Sequence, residues 1–284
     1  MPASMPASWA PLEPAQFLAR DGRTLFRFEG LGHYGEAVGA RTEVLAEAGF
    51  APRHLGNRRG FGESELPPGR LLTPGDLSPE LLARMAGYLA LRATALGSDS
   101  AQSSELETML RRNWQLEFGE ELGGAESRLR AERVVVCDGR MMPHAWLRSS
   151  RGELLKLDAG SHGDNHFFPG PCDIAWDVAG AIVEWKLEGE ARERFVGEYA
   201  RRSGDAIAER LEPYLLAYTV FRMGWSRMAA AAMQGEFDEA LLARDYRRYR
   251  AQALNLKMRQ PRSLREIARK EAAAVSPERL PRPA

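Results

Sequence analysis

The chain has 284 residues and a mass of 31.6 kDa, room for one large domain or two small lobes. Apolar residues make up 44%, which excludes a globally disordered chain. Its 39 Lys and Arg offset 39 Asp and Glu, so no bulk charge draws it to nucleic acid or an anionic membrane. Two cysteines, Cys137 and Cys172, are too few and too far apart in sequence for a disulfide framework, and they point to a reducing, cytoplasmic setting. No run approaches the ~18 consecutive apolar residues of a membrane span.

Residues 1–13, with a repeated MPAS and scattered prolines, read as a disordered tail. They lack the charged start and apolar centre of a secretion signal. Gln16 to Ala19 and Thr24 to Glu29 flank Asp21-Gly22, a hairpin-turn signature. Gly30-Leu31-Gly32-His33-Tyr34-Gly35 reads as a connector. Ala37, Val44, Leu45 and Ala48 predict a helix over 36–48, stopped by Gly49. His54 to Leu66, broken by Gly60 and Gly62, predicts a second hairpin, and Leu66 to Arg70 a turn or hinge. Ser78 caps a helix from Pro79 onward, with Leu81, Leu82, Met85, Leu89 and Leu96 inward. A second amphipathic helix spans 105–118. Val134 to Cys137 is a short buried strand; 145–148 and 154–157 are two more, joined by an Arg151-Gly152 turn. A loop rich in glycine and histidine runs from Ala159 to Cys172. Helices over 173–186, 190–202, 205–233 and 237–254 follow, and residues 263–284 form a C-terminal extension or tail.

The order is α+β: a small strand-rich lobe over 14–66, a hinge over 67–70 and a mostly helical lobe over 71–262. Clefts between lobes are common ligand sites. Polar groups gather just past the hinge. Asp138 ends a buried strand, and Asp158 ends another, Leu154-Leu155-Lys156-Leu157-Asp158. Beyond them come His162-Gly163-Asp164-Asn165-His166 and then Gly170-Pro171-Cys172-Asp173-Ile174-Ala175-Trp176-Asp177. Two carboxylates at neighbouring strand ends suit phosphoryl transfer, one orienting a hydroxyl and the other holding magnesium against phosphates. Asp173 and Asp177 read first as capping acids, because a helix starts there. Trp146, Trp176 and Trp185 read as core.

At these residues the chain resembles the aminoglycoside phosphotransferase and choline kinase-like family, whose fold is two-lobed and protein-kinase-like. Gly170 to Gly180 looks like its Gly-x-Gly-Asp-Pro-x-x-Asp-Leu-Ala stretch. Leu154 to Asp158 looks like the strand ending in the metal-binding Asp. Glu63 to Leu72 looks like the inter-lobe hinge, which would put adenine against Glu65 and Leu66. The resemblance covers about residues 16–260. It implies ATP and Mg2+ as cofactors, a small-molecule acceptor, and a phosphate contact from Arg27, with Glu43 or Glu36 as its helix partner.

The departures are specific. The family's catalytic loop reads His-Gly-Asp-x-x-x-x-Asn, and this chain reads Asp138-Gly139-Arg140-Met141-Met142-Pro143-His144-Ala145. Aligned on Gly139 and Pro143, Arg140 replaces the catalytic Asp and Ala145 the metal-binding Asn. Aligned on the acid, Asp138 is the catalytic Asp, with His144 or Asp164 standing in for the missing magnesium ligand. Arg27 replaces a lysine, a planar fork for a point charge. No glycine-rich phosphate loop precedes Gln16, so the small lobe is short. Three readings follow. The first is a divergent phosphotransferase using ATP and magnesium on a hydroxyl, with Asp138 as base and Asp158 as metal ligand. The second is a pseudokinase, a binding or regulatory module without transfer. The third is a metal-dependent enzyme on His162, Asp164 and His166, four apart but without the helix that such a histidine pair needs.

Overall fold

The structure, a computed structural model, describes residues 6–99, 103–123, 129–160 and 170–259. The small lobe is one antiparallel sheet of β1 (Gln16–Leu18), β2 (Thr24–Phe28), β3 (His54–Arg58) and β4 (Phe61–Glu65), ordered β1-β2-β4-β3. Asp21 closes the first hairpin by accepting from the Arg23 and Thr24 amides at 2.8 and 3.2 Å. Arg59 and Gly60, both at positive φ (53° and 82°), make the two-residue turn of the second. Helix α1 (His33–Glu47) lies between the hairpins in sequence and packs on β3. It starts three residues earlier than the periodicity predicts. Its end follows the glycine rule: the Gly49 amide bonds the Ala46 carbonyl at 2.9 Å and the Phe50 amide bonds that of Leu45 at 2.8 Å.

Residues 66–68 cross to β5 (Gly69–Leu71), which already belongs to the second lobe. It pairs with β7 (Trp146–Ser149), and β7 with β8 (Leu154–Lys156). A two-stranded ribbon joins β6 (Val134–Val135) to β9 (Cys172–Asp173). Around these lie α2 (Pro79–Ala95), α3 (Ser103–Phe118), α4 (Ala175–Glu184), α5 (Gly189–Ser203), α6 (Leu211–Ala232) and α7 (Glu239–Arg259). Ser78 caps α2 through its Oγ, which accepts from the Leu81 amide at 3.2 Å, and Leu81, Leu82, Met85 and Leu89 are buried as the pattern required. Trp146, Trp176 and Trp185 are in the core.

The helix expected over 205–233 begins only at Leu211. Gly204 ends α5 at φ 68°, and Arg210 turns inward to Asp205 and Asp173, which a helix running straight from residue 205 would not allow. The N-terminal tail is structured from where it is described. Residues 10–12 form a single 3-10 turn, and the Trp9 ring packs edge-on to Trp225 of α6 at 5.6 Å. The two cysteines, 35 residues apart, have their sulfurs 3.4 Å apart as free, buried thiols. Among the described residues, no helix is long and apolar enough to cross a membrane.

Candidate functional site

The loop after β6 is fixed from below by α4. Asp177, in the first turn of α4, accepts the Asp138 amide at 2.7 Å and the Gly139 amide at 2.8 Å. Burial raises the Asp177 carboxyl to about 6 against the pull of Arg92, which lies 3.8 Å away. Arg92 in turn reaches the carbonyls of Val136 and Ala159 at 2.5 and 2.7 Å, tying the two acid-bearing strand ends to α2. Asp173 is likewise structural. It accepts the Glu132, Arg133 and Ala175 amides and both Oδ atoms meet Arg210, which forks onto Asp205 at 2.8 Å.

Asp138 is only 1% exposed. Its Oδ2 takes the Tyr88 hydroxyl at 2.5 Å and the Lys156 ammonium at 3.2 Å, and its Oδ1 takes the Arg140 amide at 3.1 Å. Lys156 is itself fully buried, and burial pulls its ammonium below the ordinary lysine value while Asp138 opposes that. The side chain that follows Asp138 and Gly139 toward the surface is Arg140, 27% exposed, which forks onto Glu13 at 3.2 and 3.4 Å.

Asp158 stands at the end of β8 with φ 53°. Arg27 of β2 reaches across the lobes to its carboxylate and lies 3.7 Å from Glu29. This corrects the sequence expectation: Glu36 and Glu43 are exposed on α1, and the carboxylates that meet Arg27 are Asp158 and Glu29. The periodicity of α1 turns Val38 and Leu45 inward and sends both glutamates to solvent. Burial pushes the Glu29 carboxyl up to about 7, with Arg27 opposing. Two residues past Asp158, Gly160 presses on α1. A Cβ there would sit 2.2 Å from Thr42 Oγ1, and its carbonyl accepts from Arg41 at 3.0 Å. At the hinge, Glu65 is exposed and 3.8 Å from Arg53, and the Leu66 amide bonds the Arg23 carbonyl at 2.6 Å.

His144 lies on the other side of the loop, half-buried in a short 3-10 turn. Burial, then Arg140, lowers its imidazole to about 4. It faces Glu184, whose carboxylate accepts from Tyr218 at 2.9 Å and Tyr249 at 2.6 Å and has Arg248 and Arg222 at 3.3 and 3.6 Å. Asp164, and with it His162 and His166, falls outside the described residues. Magnesium wants several oxygen ligands in octahedral geometry. Among the described residues there is no group of three or more His, Cys, Asp or Glu able to hold a metal, and Asp158 is answered by Arg27.

Three partners of this site went unread in the sequence: Lys156, Tyr88 and Glu29. Lys156 alone carries a signal, a lysine inside an apolar strand, which has to be paired if buried.

Comparison with solved structures assigns the architecture. Choline kinase LicA from Streptococcus pneumoniae superposes with a TM-score of 0.58 at 16% identity, over 82% of this chain and 86% of that one. An aminoglycoside phosphotransferase from Alicyclobacillus acidocaldarius does so at 0.55 and 14%, over 95% and 94%. The chain has the kinase-like fold of choline kinases and aminoglycoside phosphotransferases. A choline/ethanolamine kinase family protein from Mesorhizobium loti shares it at 0.58 and 16%, over 87% and 86%. No family model and no curated protein matches the chain. The two-lobed α+β reading from sequence is therefore correct, and within it Arg27 of β2 meets Asp158 of the opposite lobe.

Proposed function

We propose that this protein is a nucleotide-binding, kinase-fold module that holds its ligands without transferring phosphate. One observation carries the reading: Asp138 is enclosed by Tyr88, Lys156 and the Arg140 amide, and the reachable side chain of that loop is a cation. A general base must reach the hydroxyl it deprotonates. Gly139 at φ 70° supports aligning the loop on the motif's glycine, which puts Arg140 where the resembled family has its catalytic Asp. Nucleotide binding draws support from LicA, which is known in complex with AMP and superposes at a TM-score of 0.58 and 15% identity. Arg27 would meet the phosphates, and adenine would lie near Glu65 and Leu66. The free buried thiols accord with a reducing cytoplasm.

A second reading, ATP-dependent transfer to a hydroxyl of a small molecule, draws on Asp138 and Asp158 flanking the one buried Lys156. One experiment separates them: calorimetric titration with ATP, with and without magnesium, alongside an assay for ADP release over amino alcohols and aminoglycosides. We expect binding that magnesium does not tighten, loss of about tenfold in affinity in Arg27→Gln, and no ADP release. ADP release abolished by Asp138→Asn would establish the second reading instead, and no binding at millimolar ATP by folded protein would sink both.

A further inference from the structure

We propose that Arg140 marks a binding site for a small oxyanion, carboxylate or phosphate, on the acceptor side of the cleft, and that Glu13 is its built-in occupant. The main chain that carries Arg140 is held in place. Its amide is fixed on Asp138, and the loop before it is fixed by Asp177. The fork grips the Glu13 carboxylate through both terminal nitrogens, at 3.4 Å to Oε2 and 3.2 Å to Oε1, the two-point arrangement that arginine offers a carboxylate or a phosphate.

Glu13 is delivered there by a segment that spans the two lobes. The Ser8 amide bonds Asp238 at 3.1 Å, just ahead of α7. Trp9 and Ala7 join the small cluster of Ala229, Met233 and Leu242. The segment then passes Glu13 and meets the small lobe, where the Ala15 carbonyl accepts the Phe28 amide at 2.8 Å. Arg222 lies over the Trp225 ring at 4.7 Å, the ring that Trp9 meets edge-on, and burial keeps His144 uncharged near neutral pH. Arg222 and Arg248 are already answered by Glu184. Arg140 supplies the fork.

Calling this the acceptor side rests on the kinase-fold reading above; the anion site itself does not. Glu13 and Arg140 are each about one-third exposed, so their pair is a weak one that an external anion can replace.

The test is calorimetric titration of the full chain with inorganic phosphate and, separately, succinate. Glu13→Gln should bind both about two- to fivefold tighter than the unmodified chain, the span of an exposed ion pair. Arg140→Gln should lose at least tenfold for both, and the double variant should match Arg140→Gln. Arg140→Lys, which keeps the charge and loses the fork, should weaken both anions, by less than Arg140→Gln does. Equal affinity in the unmodified chain and Glu13→Gln, or full binding in Arg140→Gln with an unchanged melting curve, overturns the proposal. Nucleotide titration of the same variants separates the two claims. If ATP binds none of them while the Glu13 effect persists, the nucleotide reading fails and the anion site stands.

Discussion

The two lobes handle buried charge differently. In the large lobe, charged groups are sealed into closed networks: Asp173, Arg210 and Asp205 in one, and Asp138, Lys156, Tyr88, Arg92 and Asp177 in another. Each acid there has several donors, and nearly all of these side chains are fully enclosed. In the small lobe the charges that matter, Arg27 and Glu29, sit at the lobe boundary, and Arg27 finds a partner, Asp158, in the opposite lobe. β1 is exposed along its whole length. The large lobe therefore fixes the geometry of the loop at 138–140 by itself. The small lobe depends on the opposite lobe to complete its polar pairing, so the two are joined through Arg27 and Asp158 rather than through its own interior.

The contrast can be broken at its strongest point. Arg210→Ala leaves Asp173 and Asp205 facing each other's surroundings without their shared cation, and breaking a buried pair in this way costs about 3–5 kcal/mol. Urea denaturation should show a loss of that size, with the midpoint falling and the slope unchanged. An effect below about 1 kcal/mol would mean that the network does not hold the lobe. Next is Lys156→Met, which strands the buried Asp138 carboxylate. The expected loss is about 3 kcal/mol, and the double variant with Asp138→Asn should regain most of it, because removing both charges removes the unpaired one.

The smallest effect is the one that most sharpens the comparison, since the lobes should respond to pH in opposite senses. The His144 imidazole, near 4 when folded, lies below its ordinary 6.5. Between those values the unfolded chain binds more protons, so this contribution is complete above pH 6.5 and is lost as pH falls toward 4. The Glu29 carboxyl, near 7 when folded, lies above its ordinary 4.5. Its contribution is complete below pH 4.5 and is lost as pH rises toward 7. From pH 5 to 7, hydrogen-exchange protection, corrected for intrinsic exchange, should rise around His144 and fall in β2. His144→Gln and Glu29→Gln should each flatten only their own lobe's response. Parallel trends in both lobes would refute the contrast.

Local chemistry was legible wherever neighbours along the chain decided it. Asp21-Gly22 and Arg59-Gly60 set their hairpins, Ser78 and Gly49 set helix ends, and the apolar stripe of α2 found the core. Motif letters also singled out Asp138 and Asp158, which the structure places at two strand ends, one buried and one paired with Arg27. The roles of those acids were not legible, because burial and pairing depend on residues far along the chain. Tyr88 is 50 positions from Asp138, and Arg27 is more than a hundred from Asp158. The same holds for Cys137 and Cys172, distant in sequence and in contact in space.

The balanced charge with which the sequence began, 39 cations against 39 anions, excluded bulk attraction to polyanions and nothing more. Sequence by itself determined the α+β order of a strand-rich lobe before a mostly helical one, since this is written in periodicity and turn residues. The tertiary structure alone decided which charges cancel and which face the cleft. It closed Lys156 on Asp138, set Arg27 against Asp158 and left Arg140 forked on Glu13. The physical reason is that an ion pair is made through space, and its strength follows from how far its partners have been taken out of water.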